Sequence, residues 1–357
     1  MSLFTRRRIN VGLGGEFVAR GTGVAAADCM WSPFISLSFD DKIKSDFVEN
    51  TSGHMIDAAM TAFITGKYAE GEIEGQVNID SFGLILLALL GDETYTSPES
   101  NVGLHTYKYL DTNQYPSLTL WQNDPIGAMR FRMAMVNNLT LDVTLGEIVK
   151  FTSGFTSKIH QDMAAPSDAV MKTPKDRQFI SADLTFKVAD LVGNLSSASA
   201  VDLKHLTLTI EKNVEMTEVL GTLEPTDIVN KRLKITGSLE LNYEDRTWKD
   251  YMLGGQARAM QIDLQGSKVL QSGGSVYPRL LINFDKAWFE EWEPAGALND
   301  ITTQTINFQV FYDLKNNRLW ETFALYNNHS YYSSTSSSTS SSTSSSTSSS
   351  TSTTTAA

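Results

Sequence analysis

Glu70, Glu72 and Glu74 are the residues whose type and spacing most suggest a chemical role. On a strand, positions two apart share a face, which would put these three carboxylates on one side and Ile73, Val77 and Ile79 on the other. Such a ladder reads either as a solvated outer face or as a surface that a passing polyanion does not stick to. Glycoside cleavage would need two carboxylates on facing elements at a controlled separation, which one strand does not supply. The other reactive residue types form no constellation. His54, His105, His160, His205 and His329 lie far apart, and none falls in a two-histidine metal motif. Cys29 is the single cysteine, so it has no partner in its own chain for a disulfide or a zinc cluster. Gly12-Leu13-Gly14-Gly15 and Gly21-Thr22-Gly23 follow no strong strand, Gly66-Lys67-Tyr68 lacks the magnesium-binding hydroxyl of a phosphate loop, and no Gly-x-Ser-x-Gly elbow occurs. In Trp288-Phe289-Glu290-Glu291-Trp292-Glu293 aromatic residues alternate with acids, a pattern for rings that pack in a core or at a subunit contact. No catalytic, cofactor-binding or metal-binding residue is assigned, and the reading is of a protein that is not an enzyme.

The elements that would position these residues are mostly strands. Phe34–Phe39, Leu118–Trp121, Leu139–Val143, Leu206–Ile210 and Ile306–Val310 alternate apolar and polar residues, which predicts half-buried antiparallel sheets. Asp80–Leu90 and Glu244–Leu253 instead open on an acid, carry apolar residues at helical spacing and stop at glycine, so each predicts a short helix. The segment Asp40–Tyr68 shows no strand alternation and reads as a long arm, a flexible loop that orders against a neighbour.

The order of elements occurs twice. Ile73–Ile79 aligns with Ile235–Leu241 at an offset of 162, each is followed by a predicted helix ending in Leu-Gly, and Tyr115-Pro116 matches Tyr277-Pro278 at the same offset. Lys150–Phe155 resembles Asn307–Tyr312 at an offset of 157, and Phe34–Phe39 pairs loosely with His205–Ile210. This predicts two tandem domains, residues 1–165 (with the arm 40–68) and 166–330. Every residue from Ser333 to Thr355 is Ser or Thr, so residues 331–357 read as a disordered tail, with a glycosylated stalk as the alternative.

Composition agrees with a globular protein: 357 residues are 41% hydrophobic. The 41 acidic residues outnumber the 29 basic ones, and the formal charge is −12. The only basic run is Arg6-Arg7-Arg8, so a face that grips nucleic acid by neutralising phosphates is not expected. Ile9–Gly15 is too short and glycine-broken to form the core of a signal peptide. The apolar run Phe82–Leu90 is far shorter than the roughly 20 residues of a spanning helix.

The duplicated order resembles the major tail tube proteins of long, non-contractile tailed bacteriophages. The resemblance rests on Glu72–Ile79 running into Asp80–Leu90, on Ser117–Trp121, on the strand-turn-strand stretch Arg130–Phe151, and on their echoes in Tyr277–Phe284 and Ile301–Tyr312. It implies a mainly β fold: a β-sandwich or split barrel with one short flanking helix, here in two tandem copies. It further implies rings that stack on a tape-measure protein between tail terminator and tail-tip proteins. Their lumen conducts DNA without tight binding, in a virion made in the host cytoplasm, with no membrane span. Two folds per chain would give a trimer with pseudo-sixfold symmetry, in which Glu70, Glu72, Glu74 and Glu240 are candidates to line the lumen. The arm would make ring-to-ring contacts. A tail-tip or baseplate hub protein of the same fold is the alternative, and a secreted adhesin a more distant one.

Overall fold

The computed structural model describes residues 8–47, 62–166, 178–296, 298 and 300–329. The proposed Ser/Thr tail lies outside the described residues. Residues 10–163 form β1 (Asn10–Gly15), β2 (Met30–Ser32), β3 (Ser36–Leu37), β4 (Asp40–Phe47), β5 (Ala62–Gln76), α1 (Ile79–Leu90), β6 (Gly91–Glu99), β7 (Val102–Tyr109), β8 (Leu118–Asn123), β9 (Ala128–Thr144), β10 (Lys150–Ser157) and β11 (His160–Met163). Residues 184–327 form β12 (Leu184–Ala189), β13 (His205–Glu211), β14 (Val214–Thr217), β15 (Asp227–Asn230), β16 (Lys234–Asn242), α2 (Thr247–Gly254), β17 (Arg258–Gln265), β18 (Arg279–Ala295), β19 (Thr303–Val310) and β20 (Trp320–Asn327). The protein is mainly β, as its alternating segments predict.

The central feature is an antiparallel sheet of eight strand positions in the order β3/β4, β5, β10, β9, β13, β16, β19, β18. β9 and β18, each of 17 residues, leave this sheet to build a second layer. There the first half of β9 pairs with β8 and β11, and β8 pairs in turn with β1. The first half of β18 likewise pairs with β17 and β20, and β17 with β12. The pairing order is thus the same in both groups of strands, except that the hairpin β6–β7 is inserted after α1 and joins the second layer through β20.

Glycine allows the closest approach within the central sheet. Gly75 opposes Phe151 and Gly237 opposes Phe308, and a β-carbon on either glycine would meet the phenyl ring, at 2.9 Å and 2.4 Å respectively. These are the residues aligned at offsets 162 and 157 in the sequence.

Both helices lie against the apolar side of the central sheet, Phe82 of α1 on Phe151 and Trp248 of α2 on Phe289, with ring centroids 5.4 Å apart in each case. α1 is buried at every position, which explains why its sequence is apolar nearly all round. The Asn78 side chain accepts a hydrogen bond from the Asp80 backbone N–H at its start, and Gly91, at φ 101°, ends it. α2 begins at Thr247, three residues later than predicted, because the Asp245 carboxylate accepts the Thr247 N–H from outside the helix. One hydrophobic core draws on both groups of strands, including Ile73, Phe151 and Leu141 from the first and Leu208, Ile235 and Phe308 from the second.

Two local expectations change. The arm is not irregular: β4 and the first half of β5 form a two-stranded antiparallel ribbon, whose tip, residues 48–61, lies outside the described residues. Its residues are largely exposed on both faces, so no alternation marks them as strands. The strand predicted over Phe34–Phe39 is reduced to Ser36–Leu37, which pairs with β5.

Candidate functional site

Directly opposed residues of an antiparallel sheet point to the same face. Ser36, Glu74, Thr152, Thr140, Thr209, Thr236, Gln309 and Trp288 therefore form one row across all eight strand positions on the face away from the helices. A parallel row runs from Gln76 through Lys150, Asp142, Thr207, Ser238 and Asn307 to Glu291. A third passes from Thr144 through His205, Glu240 and Thr305 to Glu293. The alternation read from the sequence accounts for this face: each strand turns its Leu, Ile, Val or Phe to the core and leaves Thr, Ser, Asn, Gln or an acid outside.

All four acids singled out from the sequence are on this face. Glu70 and Glu72 are exposed, and Glu74 and Glu240 are half-buried. Glu70, Glu72 and Glu74 are consecutive outward positions of β5, while Glu240 sits on β16, four strand positions from β5. Among the described residues none of their carboxylates forms an ion pair. Asp142, Glu211, Glu291 and Glu293 belong to the same surface and were not singled out. Their only signal in the sequence is parity with the neighbouring threonines, which becomes informative once the strands are known to share a sheet.

The surface is a mesh of short polar contacts with an excess of negative charge. Thr140 and Thr209 bring their hydroxyls within 3.2 Å, and Thr144 donates to Asp142 at 2.9 Å. His205 Nε2 lies 3.1 Å from Asp142 Oδ2, and the Asn307 amide donates to Glu291 at 2.7 Å. Lys150 and Lys234 are among the cations on this face. Lys150 donates to Glu147 at 2.6 Å, and that hydrogen bond raises the lysine pKa.

Reactive groups elsewhere are held in structural roles. Burial pushes the Cys29 thiol up to about 12, the nearby Asp28 adds to the shift, and Arg130 opposes it, so the thiolate nucleophile is not available near neutrality. His105 and Glu93 form a pair with no exposed side-chain surface, which pins the β6–β7 hairpin to Asn327 of β20. The Glu16 carboxylate is buried and accepts from the Gly21 N–H, the Met133 N–H and the Thr119 hydroxyl, fixing the N-terminal loop on the second layer. Among the described residues no group of three or more His, Cys, Asp or Glu could hold a metal ion, and no helix is long and apolar enough to cross a membrane. What the described residues present to a partner is therefore a broad polar face.

Comparison with known proteins agrees with this geometry. Residues 60–310 match a family model described as phage tail tube protein. A comparison with curated proteins gave no match.

Proposed function

This chain belongs to the phage tail tube protein family, a structural and non-enzymatic component of the virion tail, and from that premise we propose that it is the major tail tube subunit. Three copies join edge to edge, their central sheets form a closed barrel with the acidic face inward, and stacked rings conduct DNA towards the host. The repeated pairing order supports reading the chain as two tandem tube folds, residues 1–165 and 166–330, so that a trimer has pseudo-sixfold symmetry.

One observation carries this reading: an antiparallel sheet of eight strand positions with one broad polar face. Strands about 4.8 Å apart make it an arc of about 38 Å. Three such arcs close a backbone circle about 37 Å across, and side chains reaching about 6 Å inward leave a bore of about 25 Å, enough for a DNA duplex. A wall of neutral Thr, Ser, Asn and Gln, on which carboxylates outnumber lysines such as Lys150 and Lys234, offers phosphates little counter-charge, so DNA is repelled from the wall and slides. Closing the barrel also removes the exposed edges that would otherwise invite uncontrolled strand pairing. The tape-measure, tail terminator and tail-tip proteins are its expected partners.

Negative-stain electron microscopy of the purified protein, with end-on averages, tests the proposal. Hollow tubes whose rings contain three chains and show pseudo-sixfold symmetry are expected. Closed single rings that never polymerise would indicate a hub protein instead, and monomers under all conditions would overturn the proposal.

A further inference from the structure

The hairpin β6–β7 belongs to the first group of strands by sequence and to the second by contact. It lies within residues 91–117, which separate α1 from β8, whereas in the second group only Gly255, Gln256 and Ala257 separate α2 from β17. β7 pairs with β20 from Gly103↔Asn327 to Thr106↔Ala324 and so extends the second layer of the other group. The hairpin is tied along its length. At its tip the Glu99 carboxylate accepts from the Ser275 N–H at 3.0 Å and from the Ser275 hydroxyl at 2.6 Å. In its middle the buried His105–Glu93 pair reaches across, with His105 Nε2 lying 2.9 Å from Asn327 Oδ1 and 2.8 Å from the His329 carbonyl oxygen. Towards its base the Tyr107 carbonyl accepts from Trp320 Nε1 at 2.9 Å, and the buried Tyr107 ring packs edge-on against Phe323, 6.1 Å between centroids. The same residues reach α1: the Tyr107 hydroxyl donates to the Gly83 carbonyl and the Asn327 amide to the Ile79 carbonyl, each at 3.1 Å.

We infer that this hairpin is a clasp that locks the two strand groups of one chain into a single rigid unit. Tandem folds joined through a modest polar interface rock against one another by default. Here the β9–β13 pairing holds the groups together in the central sheet, and the β7–β20 pairing holds them again in the second layer. Between the two layers Phe82 and Leu86 of α1 converge with Leu139, Leu208, Leu280 and Phe323, which come from both groups. Two strand pairings in different layers leave no common axis about which the groups could turn without breaking hydrogen bonds or opening a close-packed core. The lock is a property of one chain. Its consequence for a tube rests on the ring reading above: residues 255–257 leave no room for a counterpart hairpin in the second group, so in a ring of three chains only the junctions inside chains are clasped, and a tube under load bends at the three junctions between chains.

Distances between spin labels on the full chain test the lock. Ile126, in the turn between β8 and β9, and Leu314, in the turn before β20, are 83% and 88% exposed. Labels on Ile126→Cys and Leu314→Cys therefore report on the two groups without disturbing either, and the buried Cys29 stays unlabelled. With the clasp intact the pair should give one narrow distance. Gly91 and Tyr109 oppose one another, so an Asn-Gly turn can replace residues 92–108. That deletion should at least double the width of the distance distribution. Glu99→Ala/Trp320→Phe, which removes the bonds at the tip and the indole donor to Tyr107 while keeping an aromatic ring against Phe323, is a milder change that does not depend on the deletion folding. It should widen the distribution by at least half, and a width unaltered in these variants overturns the clasp. In bent tubes of the unaltered protein, electron cryomicroscopy should show a constant angle between the two groups of each chain and a varying angle between chains. Equal variation at both kinds of junction overturns the rigid unit and leaves the tube reading standing. Absence of rings overturns the tube reading, and the spin-label widths then decide the clasp by themselves.

Discussion

Lys212 shows how one side chain can be committed to the fold at an electrostatic cost. It has no exposed surface; its ammonium donates to the Ala88 carbonyl in the last turn of α1 at 2.6 Å and lies 4.8 Å from the centre of the Tyr115 ring. A cation at a helix C-terminus and over an aromatic face is favourable. Burial, reinforced by Arg20, nevertheless pushes its pKa well below the usual 10.5. The unfolded chain therefore binds the extra proton in the window between the lowered value and 10.5, and stability rises with pH across it. Lys212→Met should remove that contribution. The wild-type protein should gain on the variant as pH is raised towards 10, by up to about 1.4 kcal/mol per pH unit inside the window, measured as paired urea unfolding curves. A constant difference between the two proteins would show that the buried group does not titrate there.

Among elements, the arm is the one whose role the fold leaves open to experiment. The β4–β5 ribbon leaves the central sheet beside the smaller hairpin β14–β15, and Lys44 pairs with Glu218 while the Lys67 N–H donates to the Leu223 carbonyl at 2.7 Å. Ile43, Phe63, Ile64, Val219, Leu220 and Leu223 are exposed on these two hairpins, a concentration of apolar surface that suits a contact between rings. Replacing residues 43–66 by a short turn is expected to leave soluble rings that do not stack, seen as discrete particles instead of tubes by electron microscopy. Normal tubes from this deletion would remove the arm from ring-to-ring contacts. The second helix was legible from its residues, but its start was not: Asp245 caps from outside, and an acid within the first turn reads much the same in sequence as one just before it.

At the scale of the whole molecule the prediction concerns charge. Because Glu72 and Glu74 point away from the core and bear no structural contacts through their carboxylates among the described residues, Glu72→Lys/Glu74→Lys should fold and assemble like the parent chain. Placed on a lumen wall, the added cations would hold phosphates and slow DNA passage, at low salt most of all. Phage carrying the double change should eject DNA at least several-fold more slowly while their tails look normal in micrographs. Unchanged ejection and infectivity would argue that this face does not line the conduit.

Composition and spacing alone specify the strand-rich class, the two helices, the shared face of Glu70, Glu72 and Glu74, and the two offsets that tie Gly75 to Gly237 and Phe151 to Phe308. These are local properties: a period of two, a glycine stop or a residue pair repeats wherever the same backbone environment recurs, so composition and spacing report it. Tertiary structure alone decided that β9 pairs with β13, because that hydrogen bonding joins residues far apart in the chain. With it came the union of the two strand groups into one sheet and the gathering of Asp142, Glu291 and Glu293 onto the face of the β5 acids. It also decided the ribbon form of the arm, since a strand pair bathed in solvent on both sides has no buried face to impose an alternating pattern.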